Sequence, residues 1–355
     1  MTAPAVLLAF LAAAQAPAPP PERTYYVFVA SEGVDRIQLV SFGPAGASVE
    51  RSFRIGTVPT EAAGPHGLGV APDGRSYFVS TGHGMPFGSL WKYASDTDRP
   101  EGRVELGPFP ASLQASPDGH FVYVVNFNLH GEMVPSSVSV VAADEMVEVA
   151  RIPTCTMPHG SRLTPDGTRH YSACMMDDLL VEIDTRTLAV ARRLPLGPAH
   201  ERRAAGGHAG VVCSPTWAQP SPDGRRVYVA CNKANEILEI DAGAWVVRRR
   251  FQAGDGVYNL ATTRDGRLLI ASNKRGQSVS VFDAASGKEL KRLGTRRKVV
   301  HGVAVSPDDR YAFVSVEGVG AEPGTVEMID LRSLATVATV DVGPMAGGID
   351  VWKVD

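Results

Sequence analysis

The chain has 355 residues, with 36 glycines, 26 prolines and a formal net charge of −3. That glycine and proline content is high for a helical protein and suits a turn-rich all-β one. With acidic and basic residues interspersed, the charge gives no basis for a nucleic-acid-binding or membrane-surface protein.

Residues 1–22, MTAPAVLLAFLAAAQAPAPPPE, hold an apolar run from Ala5 to Ala14, then small residues and a proline-rich spacer. This is the pattern of a secretory signal peptide with cleavage near Ala14 or Ala16. It predicts an exported protein, periplasmic or extracellular. The run is too short to span a bilayer, and no later stretch has the length and apolarity of a transmembrane helix. Residues 23–355 are expected to form one domain.

Within that domain one pattern recurs: an alternating apolar strand, a Pro-Asp-Gly-like turn, then a second strand. The copies are GLGVAPDGRSYFVS, LQASPDGHFVYVVN, SRLTPDGTRHYSAC, AQPSPDGRRVYVAC, LATTRDGRLLIASN and VAVSPDDRYAFVSV. Their turn aspartates are Asp73, Asp118, Asp166, Asp223, Asp265 and Asp308, with gaps of 45, 48, 57, 42 and 43 residues. Proline presets its own φ, Asp caps the turn through its side chain, and Gly takes the positive φ that re-enters a strand. Two more strands follow each hairpin, as in NEILEID then WVVRRRFQAG. Four short antiparallel strands per 40–50 residues mark a β-propeller blade.

The six turns account for six blades. YYVFVAS and RIQLVSF read as second and third strands with no first strand before them, and GGIDVWKV near the other end reads as a first strand. Joined, they make a split seventh blade that closes the ring without an open sheet edge. The expected fold is all-β: seven four-stranded blades in one ring.

YVVN at 123–126 and YVAC at 228–231, with the strands that follow them, resemble the YVTN-repeat propellers, a large group of mostly exported bacterial proteins. The resemblance covers nearly everything after residue 22. It implies the fold and an exported location. Related seven-bladed rings include lactonases and cofactor-bearing subunits of dehydrogenases, so the fold does not choose a function.

In a propeller the first strands line the central channel. Loops entering them share a face with the loops after the second strands, opposite the Pro-Asp-Gly turns. His66, His159 and His301 each lie seven residues before a turn Asp, at the channel entrance. His83 and His130 fall in loops after second strands, and His200 and His208 in the insertion that stretches the third gap. The cysteines and Met85, Met133, Met157, Met175, Met176 and Met345 map to the same face. Three imidazoles with the Met157 thioether form a candidate copper set, since soft sulfur and nitrogen suit that metal. His66, His159 and His301 come from the first, third and sixth blades, however. They are therefore expected to lie too far apart to share one ion, which favours an organic or protein ligand. The alternative for Pro-His-Gly is structural: Pro fixes strand entry and Gly lets neighbouring blades approach.

Lys233, Lys274 and Asn273 from later blades complete the candidate ligand-binding set, with Tyr258 on the fifth inner strand. Cys155 and Cys213 precede their turn aspartates by 11 and 10 residues, and Cys174 and Cys231 follow theirs by 8. Hairpin pairing places each early cysteine just above the late one of its own blade. The expected bridges are Cys155–Cys174 and Cys213–Cys231. Serine-hydrolase, Walker and H-E-x-x-H motifs are missing, as is the CxxCH of covalent haem. The expectation is a monomeric ligand- or partner-binding propeller using a His/Met/Lys mouth. The alternative is an enzyme in the same mouth, either a lactonase-like hydrolase or a metal-dependent oxidoreductase.

Overall fold

The computed structural model describes residues 20–56, 62–83, 87–197 and 210–355. Most of the signal segment, Met85, His200 and His208 therefore lie outside the described residues. Seven sheets, each of four antiparallel strands, form the ring. Blades 1 to 6 are numbered here by their turn aspartates in chain order.

Blade 7 is the split one. Its innermost strand, Ala346–Val354, pairs antiparallel with Tyr25–Ser31, bringing Tyr25 opposite Val354 and Phe28 opposite Asp350. The strands Arg36–Gly43 and Gly46–Arg54 complete it. The chain thus closes its own ring, as its strand pattern predicts.

The turn chemistry also follows the sequence. In all six turns the Asp side chain accepts the backbone N–H two residues on, at 2.9–3.2 Å. Gly74, Gly119, Gly167, Gly224 and Gly266 take φ between 67° and 77°. In the sixth turn, Pro-Asp-Asp, Asp309 adopts φ 57°, which Asp tolerates better than most residues.

The core is a set of slabs between blades. Seven clusters of buried side chains each join two neighbouring sheets, for example Tyr171 and Ala173 of blade 3 with Val227 and Val229 of blade 4. Near the axis the blades are tied by hydrogen bonds to the carbonyls of channel-lining residues. Ser80 donates to Ala111 (2.7 Å), Ser112 to His159 (2.5 Å) and Thr216 to Tyr258 (2.8 Å). Ser272 donates to His301 (2.7 Å) and Ser315 to Gly347 (2.5 Å). The glycines beside the histidines make room for this belt. A Cβ on Gly67 would fall 2.0 Å from the Ala111 carbonyl oxygen, and one on Gly160 2.2 Å from that of Thr216. The structural reading of the Pro-His-Gly glycines is borne out there.

Candidate functional site

Seven inner strands converge on one axis, so the residues entering them meet. His66 lies 5.6 Å from His301 and 6.4 Å from His159, ring centre to ring centre. The histidines of blades 1, 3 and 6 come closer than their separation around the rim suggests, because that spacing shrinks to a few ångströms at the channel, although among the described residues no group of three is arranged to share one ion. Tyr258 from blade 5 completes the group, 5.1 Å from His159 and 4.9 Å from His301.

The three histidines do different work. His159 is buried, and both its ring nitrogens are engaged. Nδ1–H donates to the Thr216 carbonyl at 2.9 Å, and Nε2 accepts from the Tyr258 hydroxyl at 2.8 Å. Its bond to Thr216 is the link between blades 3 and 4 that serine or threonine hydroxyls make at the junctions named above. Burial lowers its pKa to about 3, so it stays neutral. Burial also holds His301 well below the ordinary range. Its Nε2 faces Glu317 at 3.8 Å, and its Nδ1 has no hydrogen-bond partner among the described residues. His66 is partly exposed and gives Nδ1–H to Glu32 at 2.8 Å.

Two carboxylates organise the rest. Glu32, in the short 3-10 turn after the first strand of the chain, receives His66 and also His83 Nε2 at 2.7 Å. Burial alone would raise its pKa, but the two imidazole hydrogen bonds overcome it and hold the carboxyl well below the usual range. The Glu32 hydrogen bond raises His83 in return, against a smaller opposing effect of burial. Glu317 receives Lys274 at 3.3 Å, and the Lys274 ammonium lies 4.3 Å from the Tyr258 ring centre. Burial works against the Lys274 charge, yet Tyr258 and Glu317 outweigh it and raise its pKa. Burial raises Tyr258, with Lys274 pulling the other way. Phe109 packs edge-on against His66, His83 and exposed His130 at 5.2–5.5 Å, forming an aromatic wall.

Other predicted members separate from this cluster. Met157 packs with Phe109, Ala111 and Phe127 in a small apolar cluster. Lys233 is exposed and holds the Val211 carbonyl at 2.6 Å. Asn273 is fully buried, its amide spent on Ser278, Ser280 and the N–H of Gly254. It fastens its blade and does not face the mouth. The copper set does not fit either. His159 has no free nitrogen, Met157 serves the apolar cluster, and no group of three His, Cys, Asp or Glu among the described residues is arranged to hold a metal.

Both expected disulfides are present, with Cα–Cα distances of 5.9 Å for Cys155–Cys174 and 4.4 Å for Cys213–Cys231. Among the described residues, no helix is long and apolar enough to cross a membrane.

Below the histidines the channel narrows to a throat of about 40 Å³. His301, Asn259 and Trp217 line it, and each carries a buried polar atom with no partner among the described residues: Nδ1, Oδ1 and Nε1. Residue chemistry alone pointed to neither Glu32, Thr216 nor Phe109. Glu32 was accessible through the loop rule, since it follows the second strand of blade 7.

The chain matches no protein-family model and no curated protein. Three of the many solved structures that share its fold illustrate the likeness. The periplasmic gluconolactonase PpgL of Pseudomonas aeruginosa is 20% identical, with a TM-score of 0.72 over 92% of this chain and 99% of that one. A functionally unknown protein from Desulfotomaculum acetoxidans is 15% identical, with a TM-score of 0.72 over 92% and 98%. Hydrazine synthase of Kuenenia stuttgartiensis is 21% identical, with a TM-score of 0.64 over 82% and 92%. At these identities the likeness concerns the fold.

Proposed function

We propose that this chain is an exported propeller that binds a small, polar, hydroxylated ligand at the mouth built by Glu32, His66, His83, Tyr258, Lys274 and Glu317. One observation carries the reading. Each carboxylate there faces two bases, Glu32 with His66 and His83, Glu317 with Lys274 and His301. Charges cancelled pairwise leave a fixed set of directed donors and acceptors, beside an aromatic wall that suits the apolar face of a ring. The two disulfides support an oxidising compartment, in line with the signal-like start of the chain.

A second reading is favoured by one specific chain of contacts: Thr216 carbonyl, His159, Tyr258 hydroxyl, with the Lys274 cation over the Tyr258 ring. Such a relay fixes the imidazole tautomer and lets a phenol give and recover a proton, as general acid–base catalysis requires. In lactone hydrolysis water would add to the ring carbonyl, and the alkoxide leaving group would take up a proton. The structural neighbour named for gluconolactone chemistry makes lactones the first substrates to try.

Calorimetry and proton release with a panel of aldonolactones and their open acids separate the two. Saturable binding with no acid released supports the binding protein, and Lys274→Ala should weaken it about tenfold or more. Proton release abolished by Tyr258→Phe, with binding retained, supports the hydrolase. No binding and no turnover across the panel would overturn both.

A further inference from the structure

The opposite mouth, on the side of the Pro-Asp-Gly turns, opens into a cavity of about 610 Å³. Arg162 stands where this cavity meets the throat and lines both. Its guanidinium lies over the Trp217 ring at 4.4 Å and gives one hydrogen bond, to the carbonyl of Ser161 in its own strand, at 2.9 Å. A guanidinium carries five N–H donors. Among the described residues Arg162 has no ion pair, unlike Arg169, Arg192 and Arg310, which each hold a buried carboxylate.

Asp350 lines the same cavity and attracts Arg162 from beyond ion-pair distance, while its carboxylate accepts from the backbone N–H groups of Val70 and Val351, each at 2.9 Å. Arg264, exposed at the rim, adds a second cation, so the lining carries one net positive charge. Gln114 uses its amide oxygen on Leu163 N–H and keeps its amide hydrogens. Burial pulls Arg162 down to about 10, which leaves it cationic at neutral pH.

We propose that this mouth is a second ligand site, for a small organic carboxylate seated edge-on against Arg162, with Arg264 and Gln114 on its outer side. A carboxylate is favoured on shape. The planar fork of a guanidinium pairs bidentately with a planar anion, and the indole on one side of Arg162 leaves its other donors for that anion. The throat beyond has room for a flat head group of a few atoms. The site opens on the face opposite the histidine mouth and meets it only at the throat.

The test uses the full chain with its bridges oxidised. Sodium acetate and sodium succinate are titrated against sodium chloride at matched ionic strength, with melting temperature and calorimetric heat as readouts. Either carboxylate should raise Tm progressively above the chloride control. Arg162→Lys, which keeps the charge and loses the fork, should weaken binding about tenfold or more. Arg264→Gln should weaken it several-fold, and Lys274→Ala should leave it unchanged. Absence of any shift beyond chloride overturns the proposal, as does an equal shift in Arg162→Lys or its loss in Lys274→Ala. If Arg162→Lys does not fold, the wild-type titration with Arg264→Gln decides. An undiminished shift in that variant places the anion elsewhere.

Discussion

Blades 2 and 5 and blades 3 and 4 fasten the same junction in two ways. In blade 2, Asn126 ends the second strand; its amide oxygen accepts Gly107 N–H at 3.1 Å and its nitrogen donates to Ser137 and Ser139. Asn273 repeats this in blade 5 with Gly254, Ser278 and Ser280. At the same place blades 3 and 4 carry Cys174 and Cys231, bonded to the incoming loop through Cys155 and Cys213. Gly107 and Gly254 each precede their asparagine by 19 residues, as Cys155 precedes Cys174. The third strand decides which device works. Where serines face the junction, a buried amide satisfies all its groups. Blade 3 instead offers Leu179 and Val181, among which an amide nitrogen would be stranded, and blade 4 offers Leu238 with Glu236, whose carboxylate already accepts from Arg250 and Gln252. A disulfide makes no such demand.

Breaking the covalent half should have the largest effect. Each bridge closes a loop of 18 or 19 residues, so its loss should destabilise by about 3 kcal/mol. Denaturant unfolding of Cys155→Ala/Cys174→Ala and of Cys213→Ala/Cys231→Ala measures this. A loss under about 1 kcal/mol in both would mean that packing alone holds those junctions.

Acid sharpens the contrast, because neither an amide nor a disulfide titrates between pH 7 and 5. Buried His170 and His159 tie stability to that range, because burial lowers each from 6.5 to about 3 in the folded chain while the unfolded chain takes up the protons. A folded pKa below the unfolded one means stability present above about pH 6.5 and lost as pH falls toward 3. At pH 5 each histidine should account for about 2 kcal/mol of that loss. His170 stacks on Tyr123 at 5.1 Å and has no hydrogen-bond partner among the described residues. His170→Phe should therefore remove its share of the loss between pH 7 and 5, whether or not the bridges are intact. An unchanged pH slope would show that His170 titrates normally.

The amide half gives a smaller change than the bridges. Asn273→Ala leaves the Gly254 N–H and two serines unpaired, and should destabilise by about 2 kcal/mol. The two devices should also be interchangeable. A Cβ built on Gly254 would fall 2.3 Å from Asn273 Cγ, so its bond vector points at that side chain. Gly254→Cys with Asn273→Cys should form a third disulfide, detectable by non-reducing peptide mapping. Two free thiols would mean the junctions are not geometrically equivalent.

The ring, its split blade and both bridges were legible because they rest on local rules of strand alternation, turn residues and hairpin register. The site was legible only in part. The sequence put His66, His159 and His301 at one level, but distance across the channel depends on how sharply seven strands converge, and no single blade encodes that. Nothing beside Glu32 marks it as the partner of two bases. Asn273 was misplaced among rim residues because a buried amide and a surface amide look alike in a sequence. The glycine 19 residues earlier and the nearby serines, repeated around Asn126, were the available signal.

The split blade sets an order of events when the chain is made. Tyr25–Ser31 emerges early, and the strand that belongs on its inner edge, Ala346–Val354, follows almost the whole chain later. Through that interval blade 7 has no innermost strand, and blades 6 and 1 have no complete neighbour between them. Contacts at such sequence separation are the slowest to form, and an unpaired sheet edge invites other chains in the meantime. The ring therefore cannot close until Ala346–Val354 has been made. Chaperone holding, or translocation of an unfolded chain, would protect that edge until the closing strand arrives.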